Sequence, residues 1–367
     1  MIVNVFEYSF HQTLPRTLRN GMTSNFTNSF LTLYFKRLSW IIVLAGGLLG
    51  STAVSQVSFD FNYLDASGVG FNESTNGASR RAALELAGQH FAGAFSSYTT
   101  TIEIDVRGDI TSNGTLMSAG GSFGGVLQNG FGTMQVVRNK VLGNPDPFPA
   151  SRDASINVNF DDFQWELDIA TAPTGSEFDW YSVMYHEFSH IFGFATGIRT
   201  SESGGALTST DPFGRTGDGT WGAFDQFLTD KNGASVFLGN DLQEGTYHSL
   251  LEGGPSPAGG LYFNGPNSGL VGLYSPTNFT PGSSASHLDT DNTVNAYDGF
   301  IMEHSTGTGA GTREFSTIEL NMWKDMGYTG INQIGVVPEP KEVITVLGMV
   351  SLLAVVVRRR FQKQMNL

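Results

Sequence analysis

Apolar and polar residues alternate in "SFDFNY", residues 58–63, and that period of two predicts a half-buried strand. The next stretch, "ASRRAALELAGQHFAGAF", changes to helical spacing, with Leu84, Ala87, Phe91 and Phe95 on one face. Alternation returns in "TTTIEIDVRG" through Ile102, Ile104 and Val106, and again in "SINVNF" through Ile156, Val158 and Phe160, so two more strands are expected. "EFDWYSVMYHEFSHIFG" then reads as a helix of about fourteen residues, with Asp179 as N-cap and Gly193 as its stop. From 197 to 286 Gly, Ser, Thr, Asn and Pro dominate, interrupted by short apolar pieces such as "WGAFDQFLTD" and "GGLYFNG", and an irregular insertion without a fixed-period repeat is expected. "EFSTIELNMWKDMGY" closes the body as a helix, with Ser316 and Glu319 forming a capping box and Gly327 ending it.

The 367 residues, 40% of them hydrophobic, suffice for one large or two ordinary domains. A net charge of −14 argues against nucleic acid as partner, because that binding depends on Lys and Arg neutralising phosphates. Cysteine is absent, so any metal must be held by His, Asp, Glu or water.

The "HEFSH" at 186–190 changes the picture most. Residues four apart on a helix are separated by about 40° around the axis and about 6 Å along it, so the imidazoles of His186 and His190 can share one ion. Glu187 is turned aside from the pair and can act as general base on a zinc-activated water, which is the logic of a zinc-protease helix. Chance predicts about 0.005 occurrences of this pattern in a chain of this composition, which weighs against an ordinary wet helix face.

A catalytic zinc takes three protein ligands, so one more is needed. The compact pattern with a third histidine six residues after the second is excluded, because Thr196 stands there. His11 lies in the leader, His90 in the early helix and His248 in the insertion, which leaves His287 and His304 to be weighed. "HEFSHIFGF", followed far downstream by "SASHLDTDNTVNAYDGFIMEH" and then by the closing helix, resembles the leishmanolysin branch of the metzincins and the exported bacterial proteases similar to it. That resemblance implies His287 as the third ligand and Met302 as the methionine of the Met-turn. It covers roughly residues 56–330. The departures are a longer insertion, and Glu303-His304 where the family more often has a small residue and proline. His304 is a candidate for contact with the transition state, with a solvent-facing histidine as the plainer reading. Asp289, Asp291 and Asp298 offer oxygens for calcium, but their spacing does not fit an EF-hand loop, and solvated loop charges explain them as well.

Both ends read as addresses. Lys36 and Arg37 precede an apolar run from Trp40 to Leu49 and small residues up to Ser55, the layout of a secretory signal cut by signal peptidase. Near the other end "VPEP" at 337–340, an apolar run from Val343 to Val357 and Arg358–Arg360 resemble a PEP-CTERM sorting tail. That resemblance implies export from a Gram-negative bacterium, transient inner-membrane attachment of the apolar tail, processing by an exosortase, and residence at the surface or in a polysaccharide matrix.

The expectation is therefore an α+β, zincin-like (metzincin) domain with a mixed sheet, an active-site helix and an irregular C-terminal part. Its divisions are a leader at 1–55, an N-terminal catalytic part at 56–196, the insertion at 197–286, a C-terminal part at 287–330, and linker and tail at 331–367. The expected activity is that of a zinc metalloendopeptidase acting on proteins or peptides. The alternative is a surface or matrix protein that keeps the fold without turnover.

Overall fold

The computed structural model describes residues 56–108, 114–124, 129–198, 219–291 and 297–334. The signal sequence and the sorting tail expected at the two ends lie outside these residues. Among the described residues no helix is long and apolar enough to cross a membrane.

In chain order the main elements are β1 (Ser58–Tyr63), α1 (Gly77–Ala94), β2 (Thr101–Arg107), β3 (Met117–Gly121), α2 (Val136–Val141), β4 (Ala154–Val158), α3 (Trp180–Ile191), α4 (Glu244–Leu251), β5 (Tyr262–Gly265), β6 (Gly269–Gly272) and α5 (Thr317–Asp325). The first four strands form a mixed sheet in the order β1-β2-β4-β3. β1 and β2 run parallel, as do β2 and β4, whereas β3 pairs antiparallel with β4. The protein is thus of mixed α+β class.

The period-two pattern works as expected in β2, where Ile102, Ile104 and Val106 are fully buried. Between them, Glu103 and Asp105 point to the other face, where Arg152 bridges them and Asp60 at 3.4–3.8 Å. Exposed pairs of this kind add little to stability, so the apolar face carries the sheet. There Phe59 of β1 stacks on Phe188 of α3, and Phe91 of α1 packs against Phe188 and Phe192. Leu84, Ala87, Phe91 and Phe95 are all buried, as the helical spacing requires.

Three local features differ from the sequence reading. The strand after residue 154 ends at Val158, so Phe160 falls outside it and stacks on Trp180 instead. α2 and α4 are helices that the apolar pattern did not mark, being only 6 and 8 residues long. The Gly-rich stretch is also not wholly irregular from 219 onward. β5 and β6 form a hairpin extended by Leu228–Thr229, and Phe224 and Phe263 join the core.

α5 begins with the expected capping box, in which the Ser316 hydroxyl accepts from the Glu319 N–H and the Glu319 carboxylate accepts from the Ser316 N–H. Beyond its end, the Tyr328 hydroxyl donates to the Phe192 carbonyl at 2.6 Å. Trp323 and Tyr328 pack edge-on against Phe95, so the last helix is fixed to the end of α3 by aromatic contact as well. This attachment sets the C-terminal residues against the helix that carries "HEFSH".

Candidate metal centre

α3 is held at both ends. Asp179 accepts from the N–H groups of Tyr181 and Ser182 and pairs with Arg313 at 2.9 Å, so its N-terminus is capped and its buried carboxylate neutralised. At the other end Gly193 adopts φ +97°. Its N–H donates to the His190 carbonyl and that of Phe194 to the Ser189 carbonyl, both at 3.0 Å, which is a Schellman ending. The turn returns the Phe194 carbonyl to His190, where it accepts the Nδ1 proton at 2.9 Å. Gly193→Ala should cost about 1–2 kcal/mol, because a side chain is strained at positive φ, and a Cβ there would meet the Gln135 amide nitrogen at 2.7 Å. Urea unfolding of the two proteins side by side measures this; equal midpoints would show that another residue tolerates the turn.

His287 arrives from a different part of the chain. The segment around it lies between β6 and the 301–303 turn: the Tyr274 N–H donates to the His287 carbonyl, and the Leu288 N–H donates to the Met302 carbonyl at 2.8 Å. Met302 is fully buried. Its own N–H donates to the Glu319 carboxylate at 2.8 Å, and the carbonyl of Ile301 accepts the Nδ1 proton of His186 at 2.8 Å. One short turn therefore positions both His186 and the loop segment that presents His287.

The three imidazoles meet through their Nε2 atoms. His190 lies 3.0 Å from His186 and 3.2 Å from His287, and His186 lies 3.1 Å from His287. Each Nδ1 faces a carbonyl oxygen, that of Ile301, Phe194 or Ser283, at 2.8–2.9 Å. Carbonyls only accept, so the hydrogen-bond network assigns the protons to Nδ1 and leaves three Nε2 lone pairs facing one point. No proton remains to bridge them, and a cation bound there would relieve the repulsion. Zn–N distances of 2.0–2.1 Å with tetrahedral angles place ligand nitrogens about 3.3–3.4 Å apart, close to the separations here. Among the described residues this is the group of His and acidic side chains near enough to share an ion. Imidazole donors suit zinc, copper, iron or nickel, so the donor set alone does not choose the metal.

Burial keeps these rings neutral and able to coordinate. It lowers the pKa of His186, with the Ile301 carbonyl opposing, and brings that of His190 down to about 3, with neighbouring His186 adding to the effect. His287 is driven well below the ordinary imidazole range by burial and by the two other rings.

Glu187 is 6% exposed, and burial raises its carboxyl to about 8 against a hydrogen bond from the Ala119 backbone. Among the described residues its Oε2 has no hydrogen-bond partner, an uncommon condition for a buried carboxylate. A cleft of about 400 Å³ runs past His190, walled by Ala119–Gly121 of β3 and by the 195–198 and 281–286 loops. The first of those loops hangs from Asp225, which accepts from the Thr196 hydroxyl at 2.7 Å and from the Gly197 N–H at 3.0 Å.

Of the other histidines, His90 is buried against the Tyr185 hydroxyl and His248 sits on α4 outside the triad. His304 is not simply solvent-facing. Its ring stacks on Tyr274 at 3.8 Å, its Nδ1 contacts the Thr290 hydroxyl at 2.8 Å, and exposed Asp291 lies 3.9 Å from its Nε2. Asp289 is buried and accepts from the Ser256 N–H, so it is more than a solvated loop charge. The sequence reading identified Glu319 as a cap but not as the support of the 301–302 turn, and it missed Asp225. A buried acid within an apolar run, as in "WGAFDQF", was the one available sign of the second. No family model, curated protein or solved structure matches this chain.

Proposed function

We propose that this chain is a zinc-dependent endopeptidase with a zincin-type catalytic domain of the metzincin kind, exported by its host. The observation that carries the reading is the convergence of three Nε2 lone pairs from His186, His190 and His287, each ring fixed by a backbone carbonyl. Zinc held there would supply Lewis acidity, polarising a peptide carbonyl and lowering the pKa of a coordinated water towards 7. Zinc is favoured because three neutral histidines, two from one helix and one from a distant loop, are a ligand set of catalytic zinc and leave the open position that hydrolysis needs.

The chain's own groups supply the rest. Glu187, following His186 directly, has a buried carboxylate oxygen without a hydrogen-bond partner among the described residues, and this oxygen takes the proton of the attacking water and returns it to the leaving amine. β3 is an edge strand beside the cleft, and its backbone can hold an extended peptide by strand addition. The signal-like and PEP-CTERM-like ends support delivery to the cell surface or matrix, with signal peptidase and an exosortase as processing partners.

Incubation of the purified protein with a mixed peptide library tests the activity. Cleavage should stop with a chelator and return with added zinc. A library left intact, or cut equally with chelator present, would count against the proposal and favour a surface protein that keeps the site without turnover.

A further inference from the structure

The Ile301 carbonyl that accepts the Nδ1 proton of His186 at 2.8 Å and the Met302 N–H that donates to Glu319 at 2.8 Å belong to one peptide group. A single planar unit therefore joins the imidazole to a carboxylate. Glu319 is fully buried. Its other oxygen accepts from the Ser316 N–H at 2.7 Å, and the Ile301 N–H and the Ser316 hydroxyl also donate to the group. All of these partners are donors, so Glu319 is bonded as the acceptor-only carboxylate. Among the described residues no cation offsets that charge. A capping box uses one carboxylate oxygen, so the second, with its buried charge, is left for residue 302.

The other two rings differ. The Ser283 carbonyl facing His287 is backed by the Ser284 N–H, which donates to the neutral Thr280 carbonyl at 2.9 Å. Among the described residues no carboxylate accepts from the Ala195 N–H behind the Phe194 carbonyl that faces His190. Hydrogen bonds in series polarise one another at low dielectric. A carboxylate behind the peptide raises the negative charge on the Ile301 oxygen and tightens its hold on the Nδ1 proton. That makes Nε2 of the same ring a better donor, as a directly bonded carboxylate does in carboxylate–histidine–zinc sites. Resting on the metal-centre reading above, we propose that Glu319 is a positioning residue for that centre, holding and polarising His186 through the Ile301–Met302 peptide.

Nitrogen-15 labelling of the histidines in the full protein, with and without zinc, tests this by NMR. In the unmutated protein the Nδ1 proton of His186 should resonate downfield of those of His190 and His287, because its carbonyl alone is backed by an anion. Glu319→Gln offers one acceptor oxygen in place of two, and no charge in either orientation of the amide. It should move that resonance upfield and leave those of His190 and His287 in place. Against a competing chelator it should weaken zinc about tenfold, the low end for an outer partner, because the Ile301 carbonyl remains. Ser316→Ala is the comparison, since it weakens the cap of α5 and leaves the Met302 N–H on the carboxylate. It should lower the urea midpoint while zinc affinity stays within about threefold. An unmoved Nδ1 resonance with unchanged zinc affinity in a folded Glu319→Gln protein, or equal losses of zinc affinity in the two variants, would overturn the proposal and leave the metal reading intact. If Glu319→Gln fails to fold, the order of the three resonances in the unmutated protein decides alone, and a His186 proton no further downfield than the other two overturns the proposal. A shifted resonance in a protein that takes up no zinc would uphold the link from Glu319 to His186 and overturn the metal reading instead.

Discussion

His287→Ala should strip the protein of its metal and end proteolysis. The substitution removes one of three nitrogens that lie within 3.2 Å of one another and leaves two histidines from a single helix. Loss of a residue that merely orients a ligand costs 10–100-fold in metal affinity, so loss of a ligand itself should exceed about 100-fold. Zinc titration against a competing chelator gives the number. His304→Ala is the matched comparison, because that ring is occupied by Tyr274 and Thr290 and its loss leaves all three Nε2 atoms in place. It should retain zinc and slow turnover modestly. Metal lost from the His304 variant and kept by the His287 variant would reverse the assignment.

Glu187→Gln separates binding from chemistry. An amide preserves the shape of the side chain but cannot take up the proton, so kcat should fall by about 10²–10⁴. Zinc content should stay at the unmutated level, since Glu187 is not part of the converging set. Undiminished turnover would exclude Glu187 as the base. Full loss of zinc would place it among the ligands.

Much of this was legible from short-range pattern. Asp179, Gly193, the Ser316–Glu319 box and Gly327 are local devices, each recognisable from neighbours within about five positions, and all act at the ends of α3 and α5 as expected. The period of two placed β1 and β2 for the same reason. His287 is different in kind. Nothing local in "SASHLD" distinguishes it, and it was chosen only through resemblance. The structure brings it 3.1–3.2 Å from the helix pair by hydrogen bonds to β6 and to the Met302 turn, contacts that no periodicity encodes. The same applies to Glu319, whose second carboxylate oxygen supports residue 302, seventeen positions away.

X-ray absorption at the zinc edge, recorded on the protein purified with its own metal, tests the central claim most directly. The predicted result is one zinc per chain, with three imidazole nitrogens at about 2.0–2.1 Å and one light-atom ligand from solvent. Less than one bound ion, or a shell of six oxygens without imidazole scattering, would contradict a three-histidine zinc centre and the peptidase reading built on it.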